Sequence, residues 1–150
     1  MSDGQVLFLS VYLVVNALIF IKSVEHSVKK NNAYGLTNWA IPLGIFVWGD
    51  GLVWGLFWVG SVLASLYLKS WVFFWLVVSL FWVVRGLGET IFWLNHQHSS
   101  KTLYPAKDLP FYNLVKNESI WFIYQIAAQA VTVVAILFSL YFGKLWLGSF

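Results

Sequence analysis

Three ionisable residues lie inside long apolar runs of this chain: Asp50 in one run, Arg85 and Glu89 in the next. A charged side chain at the centre of a membrane-spanning helix costs about 2.5–3.5 kcal/mol even on a lenient insertion scale. Such groups persist where they face the inside of a helix bundle and find partners. Two acids and a guanidinium can form a proton or cation relay, in which the carboxylates exchange the ion and the arginine orients them. The same charges can instead form a clamp, because a buried ion pair can fix helix register with no chemical role.

Spacing groups these residues with others. Arg85 and Glu89 are four apart and share a helix face, and His96, seven beyond Glu89, continues the stripe. Gln125, Gln129, Thr132 and Ser139 repeat at helical spacing in the last run, as do Tyr12, Asn16 and Ser23 in the first. Depth can be counted from the centre of each run at about 1.5 Å per residue. On that count Arg85, Gln129 and Asn16 fall about 3–4 Å to one side of the midplane, Asp50 about 6–7 Å, and Glu89 and Gln125 about 9 Å. The pattern predicts one intramembrane layer: an Asp50–Arg85–Glu89 cluster capped by Gln125, Gln129 and Asn16. Two acids against one arginine leave a negative charge over, so one carboxyl, expected to be Glu89, would hold a proton or bind a cation.

A second chemistry could sit at the rim. His26, His96 and His98 fall at or beyond the ends of the apolar runs. Imidazole suits zinc, copper or iron. His96 and His98 point about 200° apart on a helix, but to the same side of an extended segment, where they could share a metal. A bis-histidine haem would have to pair His26 with His96. Otherwise these imidazoles are simply solvated, and no cofactor is required.

The elements that must position these groups are four apolar runs, at about 6–21, 41–68, 71–94 and 120–142. Crossing a hydrocarbon core takes roughly 20 residues. The expected fold is all-α: an integral membrane bundle of four transmembrane helices in one domain. The first run is short, but it starts with Asp3 and is followed by Lys22, Glu25, His26, Lys29 and Lys30 rather than by a cleavage site, so it reads as a retained span. Pro42 falls near the start of the second span, where proline is tolerated. Lys69 and Ser70 leave room only for a tight hairpin, and the long loop before the last span, with Pro105 and Pro110, is expected to lie partly at the interface.

Composition agrees with lipid as part of the solvent. Of the 150 residues, 60% are hydrophobic and only 10% charged, whereas soluble domains carry about 25% charged residues. That argues against a soluble enzyme or a nucleic-acid binder, and a net charge of +3 is too small and scattered for a nucleic-acid patch. With no cysteine there is neither a disulfide nor a thiolate site. Outside the spans, Lys22, Lys29, Lys30, Lys101, Lys107 and Lys116 fall on one side, and Lys69 and Lys144 on the other. Excess Lys and Arg marks the cytoplasmic side, which would put both termini outside, in a bacterial inner membrane by preference.

Ten tryptophans serve mainly as packing and lipid contact. Gly51-x-x-x-Gly55 is a small-xxx-small pattern that lets helices approach closely, within the chain or between copies. No phosphate-binding, dinucleotide, zinc-protease or nucleophile-elbow motif occurs. The leading expectation is a homo-oligomeric channel or transporter subunit for protons or a small cation. The alternatives are a structural or assembly subunit of a larger membrane complex, and an enzyme or metal or haem protein using the histidines.

Overall fold

The computed structural model of the chain describes residues 1–99 and 103–149, with Asn38 described by its backbone. Lys101, counted above for orientation, lies outside the described residues. The fold is all-helical, with no strand among the described residues. Its elements are α1 (Asp3–Val24), α2 (Trp48–Tyr67), α3 (Trp71–His98), a four-residue α4 (Tyr112–Val115) and α5 (Ser119–Leu147). Among the described residues, four helices are long and apolar enough to cross a membrane: α1 with its extension to Lys29, α2, α3 and α5. The chain divides into two compact units, Met1–Val77 and Val78–Phe150, and α3 begins in the first and continues in the second.

In the first unit, α1 starts at a reciprocal cap. Gln5 N donates to Ser2 Oγ, and Ser2 N donates to Gln5 Oε1. The helix ends in a wider π-turn over Glu25–Lys29. The polar stretch that follows is tied down at several points. A 3-10 turn at Asn38–Leu43 is closed by Gly44 with φ 71°, a left-handed value that suits glycine. Thr37 Oγ1 donates to Ile45 O, and Trp58 Nε1 reaches back to Leu43 O. Ala40 and Ile45 are buried against Ile19 of α1. The second apolar run therefore does not form one helix from residue 41. Pro42 and Gly44 belong to the preceding turn, and α2 begins at Trp48.

Tyr12 of α1 packs edge-on against Trp58 of α2 and Phe74 of α3, with ring centres 5.6 and 5.7 Å apart. In the second unit, Gly86 of α3 lies against α5, where an added Cβ would meet the Thr132 side chain and stand 3.0 Å from Ala128 O. Trp93, Leu109, Ile120 and Trp121 form the buried cluster at the other end of this unit. Six hydroxyls are satisfied within their own helices, whereas Ser23 Oγ of α1 is buried with no hydrogen-bond partner among the described residues. Ser10, Ser61, Ser65, Thr90, Thr132 and Ser139 each donate to the carbonyl four residues earlier. Such a bond satisfies a helix hydroxyl where no water reaches it.

Candidate functional site

The polar residues singled out by spacing fall in both units. In the first, Asp50 is the third residue of α2 rather than an interior one. Its Oδ2 accepts from Phe46 N at 2.9 Å and Val47 N at 3.2 Å. Val47, at the cap position, has no side-chain acceptor, so a carboxylate one turn in reaches back to the open donors. A negative charge there also complements the helix dipole. The later start of α2 is what gives Asp50 this place.

Asn16 is fully buried on α1. Its Nδ2 donates to Tyr12 O at 2.8 Å, and its Oδ1 has no hydrogen-bond partner. Gly51 and Gly55 face α1. A Cβ at Gly51 would collide with the Ser23 side chain, and one at Gly55 would stand 3.0 Å from Phe20 Cβ. Here the small-xxx-small pattern brings two helices of the same chain together.

In the second unit a polar ladder climbs α3 at every fourth residue. Arg85 Nη2 pairs with Glu89 Oε1 at 2.9 Å, with side chains only 13% and 17% exposed. The other oxygen, Glu89 Oε2, accepts from Trp93 Nε1 at 3.0 Å. Gln97 Nε2 donates to Trp93 O at 3.2 Å and crosses to α5, donating to Gln125 Oε1 at 2.7 Å. The structure thus joins Arg85 to Glu89, and brings Gln125 to Gln97. Trp93 and Gln97 were not among the expected cluster residues. The signal was present, because 85, 89, 93 and 97 continue one four-residue period, but an indole read as an interface anchor and Gln97 lay between the two histidines.

Gln129 is exposed on α5, and its side chain makes no hydrogen bond among the described residues. Gln125 lies at the edge of the face that α5 turns inward, marked by Trp121, Thr132 and Ala135, and Gln129, one turn on, falls outside it. On Gln129's own face, Phe122, Ile126, Val133, Ile136 and Leu140 follow at alternating spacings of three and four and are all exposed.

The three histidines have separate surroundings. His96 is 6% exposed. Its ring sits among Phe92, Trp93, Tyr104 and Trp121, at centre distances from 5.1 to 6.4 Å. Its Nε2 lies 3.0 Å from Tyr104 O. His98, the last residue of α3, is exposed. Both are on one continuous helix, so they point apart rather than converging as in an extended segment. His26 stacks on Trp48 at 4.1 Å, with Nε2 3.3 Å from Lys30 Nζ. Lys30 also pairs with Glu25 at 2.9 Å on the surface. Among the described residues no three His, Cys, Asp or Glu side chains come together as a metal set.

Comparison with protein-family models finds no match, and comparisons with curated proteins and with solved structures find none either.

Proposed function

We propose that the protein is a multi-pass subunit of a bacterial inner membrane that assembles with copies of itself through α5, and that its intramembrane polar groups organise helices. The observation that carries this reading is Gln129. It lies near the middle of a 29-residue helix long enough to cross a membrane, exposed, on a face otherwise made of Phe122, Ile126, Val133, Ile136 and Leu140. An amide facing acyl chains gives up hydrogen bonds that water would have supplied. Glutamine both donates and accepts, so two copies can satisfy each other across a helix pair. Alternating spacings of three and four are those of a helix-packing seam, and a single polar residue in such a seam fixes its register. The lysine balance puts both termini on the non-cytoplasmic side. Fixed partners favour an organising role for the charges. Both Glu89 oxygens are held by donors, and Asp50 Oδ2 is held by two backbone N–H groups.

A path for protons or a small cation is the second reading, and the ladder favours it. Arg85, Glu89, Trp93 and Gln97 carry polar atoms along about 18 Å of one helix, at about 1.5 Å per residue, with Glu89 as its acid. One preparation tests both. Gln129→Cys in this cysteine-free chain should form disulfide-linked dimers in native membranes, while Phe138→Cys on the opposite side of α5 should not. Equal cross-linking at the two positions would refute the seam. Proton or cation flux in liposomes that is lost in Glu89→Gln, with assembly unchanged, would establish the second reading; absence of flux favours the first.

A further inference from the structure

The segment between α3 and α5 carries bulky apolar side chains outward in a way that packing within the chain does not explain. Phe111 is 71% exposed and Leu114 82%. Phe111 precedes α4 and Leu114 lies within it, and the short helix is bounded by two residues with left-handed backbone, Phe111 at φ 64° and Lys116 at φ 57°. Only a few per cent of non-glycine residues adopt this conformation, and it persists where surrounding contacts fix it.

Those contacts fold the segment back along the helices instead of leaving it in water. Tyr104 is held through its backbone by His96, on the last turn of α3. Pro110 O accepts from Tyr124 Oη, and Tyr124 is the sixth residue of α5. Leu109 is buried with Trp93, Ile120 and Trp121. Indoles and tyrosines at the ends of spanning helices mark the headgroup level. A segment fastened to them is held at that level, and side chains that it turns outward meet the boundary between headgroups and acyl chains. Lys107, Asp108 and Lys116 are exposed as well, and long lysine stems can carry their charge up to the phosphates.

We infer that residues 103–118 form a membrane-interface anchor, with Phe111 and Leu114 inserted at the headgroup–acyl boundary beside the ends of α3 and α5. The inference rests on the reading that the long helices span a bilayer. Its occupant is lipid; a protein cover is an outcome of the test.

Because the chain has no cysteine, single substitutions can carry a nitroxide label. The full chain would be reconstituted in phosphatidylcholine–phosphatidylglycerol vesicles with labels at Phe111→Cys, Leu114→Cys, Lys107→Cys and Leu137→Cys. Accessibility to oxygen would be compared with accessibility to a water-soluble nickel chelate. The anchor gives an oxygen-to-nickel ratio at 111 and 114 severalfold above that at 107 and approaching that at 137. Ratios at 111 and 114 equal to that at 107 would overturn it, and so would shielding of both from both reagents, which means a protein cover. A nickel-accessible label at 137 on α5 would instead defeat the spanning reading, so the two failures are distinguishable. All four positions are exposed, so the labels displace no core contact.

Discussion

Individual positions show how an apolar surrounding dictates side-chain use. Asp50 is bound to two backbone donors at the start of α2, so it works as a cap. Asp50→Ala should lower stability by about 1 kcal/mol, the usual worth of a lost cap. Thermal unfolding in detergent, followed by tryptophan fluorescence, measures this, and an unchanged midpoint would contradict the assignment. Gly51 and Gly60 differ more sharply than their shared identity suggests. A Cβ at Gly51 collides with Ser23, whereas at Gly60 it meets nothing within 4 Å. Gly51→Leu should therefore cost about 1–3 kcal/mol, as overpacking does. Gly60→Ala should be neutral or slightly stabilising, because alanine favours the helix over glycine. Equal effects at both positions would remove Gly51 from the α1–α2 contact. These roles were only partly legible in the sequence. The small-xxx-small pattern was visible, but which helix would fill it depends on the three-dimensional path of α1. Asp50 looked central because hydropathy runs smoothly through residues 41–68.

Among the elements, the long apolar runs read cleanly because a predominantly apolar stretch of roughly 20 residues has few other uses. Helix starts read less well. The apolar residues Ala40, Ile41 and Leu43 of the turn run on into the helix after it, and Pro42 and the left-handed Gly44 mark the break. The α3 ladder was half legible: Arg85 and Glu89 announce themselves by charge, while Trp93 and Gln97 join through an indole N–H and an amide that average hydropathy cannot single out. The cross-helix bond from Gln97 to Gln125 is the part of the ladder most open to measurement. In a double-mutant cycle with Gln97→Leu and Gln125→Leu, we expect a coupling of about 0.6 kcal/mol, and no more than about 1.7, the range for interhelical hydrogen bonds in membranes. Additive effects would mean that the two amides do not support each other.

For the whole molecule, orientation and association are the properties open to test. In the proposed orientation the Lys107 side faces the cytoplasm and Lys144 faces the other side. In intact cells, an impermeant thiol reagent should label Lys144→Cys and leave Lys107→Cys unlabelled until the membrane is opened; the reverse pattern would invert the topology. Nothing in the order of residues showed that Gln129 would turn outward while Gln125 turned inward, since the two sit one turn apart at the edge of one face. That small angular difference separates Gln125, which bonds to Gln97 of α3, from Gln129, which is exposed and is the proposed contact to a second copy. Native mass spectrometry of the assembly released from lipid nanodiscs decides whether copies of the chain associate through α5. More than one copy is expected for the natural sequence, with a shift toward single chains in Gln129→Leu. A single chain for the natural sequence, or an unchanged assembly in that variant, would contradict it.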